Sequence, residues 1–206
     1  MIDEVFYLYI LINYYNKLPF STQSKRTCSL GHFAMLLFTF YLIFVESLVA
    51  VSAEQAVPDY LRSKLAGLDS VPAGTWIVVS KKNFTLFVMD GDKIIESYGV
   101  SVGRNEGQKG KVGDNKTPEG MFRIIQIQNS DYWTHDFRDG KGEIKGAYGP
   151  WFIRLETGWK GIGIHGTHNP ASIGTNATEG CIRLKNSDVE KLKSRYAKIG
   201  VPVLIF

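Results

Sequence analysis

Two residues in the last quarter of the chain have types suited to joint chemistry: His165 and Cys181. A thiol with an ordinary pKa near 8.5 is only a few per cent ionised at neutral pH, so a nucleophilic cysteine needs a base or a cation beside it. His165 can be that base if the loop after it, rich in Asn, Pro, Ser and Gly, returns the chain to Cys181. Gly180 permits a tight backbone that would aim the amides of Gly180 and Cys181 at a developing oxyanion. The competing chemistry is zinc, because His165, His168, Glu179 and Cys181 include three ligand types. Paired cysteines at CxxC spacing are missing from the sequence, so no metal and no cofactor are expected, and His168 reads as a solvated loop residue.

The cysteine count strengthens the nucleophile reading. The chain has only Cys28 and Cys181. Residues Phe33–Val45 form an apolar run of signal-peptide length, preceded by Lys25 and Arg26 and followed by small residues at Val51 and Ala53. Cleavage before Glu54, or retention of the run as a strained membrane anchor, both place residues 54–206 outside the cytoplasm, in the periplasm or cell envelope. Cleavage removes Cys28, and an unpaired cysteine in an oxidising compartment is an intermolecular bridge or a thiol kept for chemistry. The segment Met1–Ser24 is longer than a signal peptide needs and reads as an overextended start. The organisation expected is therefore a leader over 1–53, a short lead-in over 54–73 and one catalytic domain over 74–206.

Composition excludes other classes. A formal charge of +4, from 24 Lys and Arg against 20 Asp and Glu, is mild and scattered, so nucleic acid is not a partner. About 150 residues after the leader suffice for one domain with its own core.

The elements that must position the pair read as mainly β. Asp59–Ala66 offers two helical turns, and Pro72 and Gly74 then open a strand-rich region. Strands are expected at Thr75–Ser80, Asn83–Met89 and Lys93–Val102, with an Asp90-Gly91 hairpin between the last two, then at Gly120–Gln128, Gly149–Leu155, Ile162–His165 and Val201–Phe206. This pattern favours a mainly antiparallel sandwich or barrel. One helix in the C-terminal region is expected, with Ser187 and Glu190 as a capping box, Val189, Leu192 and Tyr196 as the apolar face, and Gly200 and Pro202 as the stop.

Several motifs in order then carry a family resemblance. His165-Gly-Thr, Asn169-Pro, Ser172-Ile-Gly174 and Gly180-Cys-Ile-Arg-Leu184, with Lys116-Thr-Pro-Glu-Gly120 and Gly149-Pro-Trp-Phe-Ile-Arg154 upstream, resemble the YkuD-type L,D-transpeptidases over about Thr75 to Phe206. The resemblance implies a β-sandwich-like catalytic fold and an enzyme of peptidoglycan metabolism. By similarity, Cys181 would attack a tetrapeptide stem, with His165 taking the thiol proton, to give a thioester and free D-alanine. An amine would then resolve the thioester and leave a 3→3 cross-link. The resemblance also implies substrate contacts from Arg183, Thr178, Glu179 and Gly166, with Arg183 either positioning a substrate carboxylate or holding the loop.

One position departs from the family. Where Ser-His-Gly-Cys is usual, this chain reads Thr178-Glu179-Gly180-Cys181. A carboxylate beside a thiol disfavours the thiolate, so Glu179 either impairs the site or has a role of its own, orienting His165 or attracting the acceptor ammonium. A non-catalytic envelope domain and a carboxypeptidase transferring to water are the alternatives. Acceptor choice among a second stem, a lipoprotein lysine, a free D-amino acid and water falls to the lid-length segments Gly103–Asn115 and Asn129–Gly146.

Overall fold

The computed structural model describes residues 56–137, 140 and 142–206. The chain divides into units Met1–Ala53 and Glu54–Phe206. The apolar run Phe33–Val45, Cys28 and the segment Met1–Ser24 fall outside the described residues. No helix among the described residues is long and apolar enough to cross a membrane.

The second unit is mainly β, as expected. Its strands are β1 Thr75–Ser80, β2 Thr85–Asp90, β3 Lys93–Gly99, β4 Val102–Gly103, β5 Gly120–Asn129, β6 Thr134–Asp136, β7 Glu143–Lys145, β8 Trp151–Leu155, β9 Gly163–His165, β10 Asn176–Thr178, β11 Ile182–Arg183 and β12 Pro202–Ile205; its helices are α1 Asp59–Ala66 and α2 Asn186–Arg195. Eight strands form one sheet in the order β11-β9-β8-β5-β12-β1-β2-β3. The sheet curls until its two ends meet: beyond β3, Ser101 exchanges both backbone hydrogen bonds with Arg183 of β11, at 2.8 and 2.9 Å.

Two cores follow from strict alternation along the strands. Ile77 and Val79 of β1 point into a core with Leu86, Ile124, Ile153, Ile164, Ile182 and α2's Val189 and Leu192. Trp76 and Val78 point the other way, where Leu61 and Leu65 of α1 cover them. Burying a leucine as Leu61 is buried stabilises by roughly 1.5–3 kcal/mol, so α1, within the lead-in, packs as a layer on the sheet.

The differences from the sequence reading have local causes. The sheet is mixed, because β1 pairs parallel with β12 and β9 parallel with β11. β2 begins at Thr85 and not Asn83, since Phe84 adopts φ 48° and continues the turn. β3 stops at Gly99, because Val100 and Ser101 cross to the far edge and Val102–Gly103 pairs with β10. The capping box does not form: α2 starts at Asn186, and the Ser187 hydroxyl bonds the Asp188 carboxylate instead.

Candidate active site

The parallel register of β9 and β11 sets Arg183 beside His165 and Ile182 beside Ile164. Register partners share a face, so the two isoleucines enter the core while His165 and Arg183 face away from it. Cys181, one step before Ile182, has Arg183's orientation and lies at Gly163, whose backbone hydrogen-bonds its sulfur. The half-buried thiol donates to the Gly161 carbonyl at 3.1 Å. Continuing the row onto β8, Phe152 pairs with His165 and stacks on its ring at 5.5 Å and 7°. Gly163 leaves room for that ring, since a Cβ there would stand 2.5 Å from the Phe152 side chain and 2.7 Å from the Ile153 carbonyl.

His165 is 3% exposed, and its Nδ1 lies 2.6 Å from the Gly166 carbonyl. A carbonyl only accepts, so Nδ1 carries the proton and Nε2 holds the free lone pair. Burial pushes the imidazole down to about 3, opposed by the Gly166 carbonyl and reinforced by Arg183, His135 and His168. Burial also pushes the Cys181 thiol up to about 11, against the Gly163 hydrogen bond and the charges of Arg183 and Arg154, with Glu179 adding to the rise. Both groups therefore rest neutral at pH 7.

Arg183 is buried, bonds Ser172 Oγ at 3.0 Å and lies over Phe137 at 5.7 Å. Its Nε is buried with no hydrogen-bond partner among the described residues, and burial lowers the pKa of the guanidinium. An orphan cationic donor of this kind suits a carboxylate.

Three residues of the sequence reading make contacts within the fold. The Gly180 amide donates to Thr178 Oγ1 at 3.1 Å, so it is not free for an oxyanion. Thr178 is buried, and its hydroxyl donates to the Cys181 carbonyl at 2.6 Å, so it braces the turn that carries Cys181. Gly166 packs on Gly149 and Pro150, where an added Cβ would meet both at 3.0 Å, so its service is the carbonyl that holds His165. Gly180 itself is obligatory, with φ 132° and the Lys116 carbonyl 2.8 Å from where a Cβ would stand. The Lys116–Gly120 motif thus lies under the Gly180–Cys181 turn, with Thr117 Oγ1 accepting from the Gly103 amide at 2.8 Å.

Glu179 does not reach His165. Its carboxylate bonds Nε2 of His135 at 3.2 Å, and Nδ1 of that ring takes the Tyr148 hydroxyl at 2.9 Å. His135 comes from the β6–β7 hairpin inside Asn129–Gly146, so this segment does reach the site. Asp114 instead closes the Gly103–Asn115 segment on itself, through Lys109 and the amides of Gly110 and Lys111. An open cleft of about 530 Å³ runs from Gly161 between Trp133, Tyr148, Phe152 and Arg154. His135, Tyr148, Phe152 and Asn186 escaped sequence reading. Phe152 stood within the Gly149–Arg154 motif but without a role, and the Asn186 carboxamide accepts from the Thr167 amide at 2.7 Å. His168 is exposed, as expected, with its ring 5.2 Å from Phe137. No cluster of three or more His, Cys, Asp or Glu placed to hold a metal occurs among the described residues.

The YkuD family, described as the L,D-transpeptidase catalytic domain, matches residues 74–205. The chain belongs to this family. Among proteins named as L,D-transpeptidases, YkuD of Bacillus licheniformis is 32% identical over 57% of this chain and 58% of its own length. YqjB of Bacillus subtilis is 29% identical over 68% of this chain and 75% of its own. The match thus spans less than two thirds of the Bacillus licheniformis relative. Among solved structures, the Ldtfm–avibactam carbamoyl enzyme aligns with TM-score 0.50 and 20% identity over 66% of this chain and 49% of that one, a likeness of fold. Within the family's usual Ser-His-Gly-Cys stretch, the L,D-transpeptidase domain here carries a carboxylate tied to the hairpin in place of an imidazole.

Proposed function

We propose that the protein is an exported L,D-transpeptidase that uses Cys181 as its nucleophile on peptidoglycan stem peptides. The observation that carries this is the β9–β11 register, with His165, Arg183 and Cys181 on one face beside an aromatic-walled cleft. His165 Nε2 takes the thiol proton as sulfur attacks the carbonyl before the terminal D-residue. The Cys181 amide is the backbone donor of the expected pair left for the oxyanion, since Thr178 occupies that of Gly180. The imidazolium, disfavoured by burial, passes its proton to the departing D-alanine amine, leaving a thioester. An amine then attacks the thioester carbonyl, the C–S bond breaks, and a 3→3 cross-link remains. Arg183, with its unpartnered Nε, binds a stem carboxylate. The acceptor is a second stem or a lipoprotein lysine, and any membrane attachment runs through an uncleaved N-terminal segment.

Incubation with disaccharide tetrapeptides and mass spectrometry of the products tests this. Cross-linked dimers that disappear in Cys181→Ala support the proposal. Shortened stems alone would make the protein a carboxypeptidase, and neither product would make it a non-catalytic envelope domain. A carbapenem is expected to add the mass of one molecule at Cys181.

A further inference from the structure

The chain Glu179–His135–Tyr148 has no assignment in the acylation chemistry, yet it ends at the reacting centre. The Tyr148 ring stands edge-on to His165 at 5.0 Å and forms part of the cleft that starts at Gly161, the residue holding the thiol. Its hydroxyl donates to His135 Nδ1, because Nε2 of that imidazole must carry the proton that meets the Glu179 carboxylate. The Tyr148 oxygen therefore keeps an acceptor lone pair. The ionisable groups facing it are His135 from β6, His165 from β9, and Glu179, Cys181 and Arg183 around β11.

The second half-reaction has an unmet need. An amine acceptor exists as an ammonium at neutral pH and must lose a proton before it can attack. His165, 3% exposed between Phe152 and Tyr148, is disfavoured as an imidazolium by burial. We propose that Tyr148 is the group that receives the acceptor ammonium, and that His135 and Glu179 act through it as a proton relay for aminolysis of the thioester. This rests on the transpeptidase reading and concerns its second step only.

The ammonium gives one proton to the Tyr148 oxygen while the Tyr148 proton passes to His135 Nδ1, where Glu179 stabilises the imidazolium. The freed amine attacks, the C–N bond forms and the C–S bond breaks. The second nitrogen proton returns to the Cys181 sulfur by way of His165, and His135 discharges to water. No electron changes hands. Glu179, in the position of the family's usual histidine, thus serves the acceptor side through a histidine supplied by the hairpin.

The test separates the half-reactions. Acylation is followed as the single-turnover release of D-alanine from a disaccharide tetrapeptide. The acyl-enzyme is then chased with methylamine, protonated at pH 7, or with hydroxylamine, largely unprotonated there. In His135→Gln and Tyr148→Phe, transfer to methylamine, relative to acylation, is expected to fall by about 30-fold or more, since general base catalysis contributes about 10²–10⁴. The loss with hydroxylamine is expected to be at least about tenfold smaller, and Glu179→Gln to lie between. Equal losses with both amines would reduce the chain to a structural brace and overturn the relay, as would no loss at all. The partly exposed His135 variant keeps the test open if Tyr148→Phe fails to fold. An unaltered protein that releases no D-alanine would instead defeat the transpeptidase reading, and the relay with it.

Discussion

The resting thiol is expected to be unreactive towards simple alkylating agents, and the size of the effect follows from its surroundings. Burial raises the Cys181 pKa to about 11, which the Gly163 hydrogen bond, Arg183 and Arg154 only partly offset. At pH 7.5 such a thiol is about 0.03% ionised, whereas an ordinary cysteine near 8.5 is about 10% ionised, a deficit of roughly 300-fold. Intrinsic nucleophilicity rises with pKa, and a Brønsted slope of about 0.45 over this interval returns roughly 13-fold. The net expectation is alkylation by iodoacetamide roughly 20-fold slower than that of an unhindered peptide cysteine. The decisive readout is the pH profile, measured by mass spectrometry between pH 5 and 10.5. Because His165 is held near 3 and stays neutral throughout that range, the logarithm of the rate should rise with unit slope to about pH 10, with no plateau. Glu179→Gln removes a charge that raises the thiol pKa, so it should speed alkylation modestly. A plateau beginning below pH 7 would demonstrate a preformed thiolate–imidazolium pair and refute the reasoning from burial.

Two further substitutions probe the scaffold. Gly180→Ala forces a Cβ to 2.8 Å from the Lys116 carbonyl at φ 132°, and backbone strain alone costs about 1–3 kcal/mol; urea denaturation should show that loss, together with loss of the carbapenem adduct. Phe152→Leu keeps an apolar side chain in a site only 2% exposed but removes the ring stacked on His165. Thermal unfolding should register less than about 1.5 kcal/mol if the leucine fills the site, whereas the acylation rate should fall by about tenfold or more as the imidazole loses its orientation; a stability loss with unchanged acylation would show that the stack has no positioning role.

Particular residues show why some features were readable in advance. Thr75–Ser80 was legible to the residue because its β-branched run is flanked by turn signals, and Asp90-Gly91 because Gly91 adopts the positive φ that the hairpin requires. The capping box misled because α2 begins one residue earlier, at Asn186, and the Ser187 hydroxyl meets the adjacent Asp188 carboxylate. The partner of the Gly180 amide was not legible either, although it is local: the Thr178 hydroxyl two residues earlier accepts from it.

The order of motifs around His165 and Cys181 determined the family, and the strand and turn chemistry determined a mainly β domain, because both are local properties of side chains and backbone. The tertiary structure alone decided that β9 and β11 run parallel, with Arg183 beside His165, and that Phe152 stacks on the imidazole. It also decided that Glu179 answers to His135 on a hairpin 44 residues away in sequence. Contacts of that kind leave no periodicity in the chain. They arise when a curled sheet brings distant edges together, and burial there moves the Cys181 thiol pKa up and the His165 imidazole pKa down, shifts that residue type alone does not reveal.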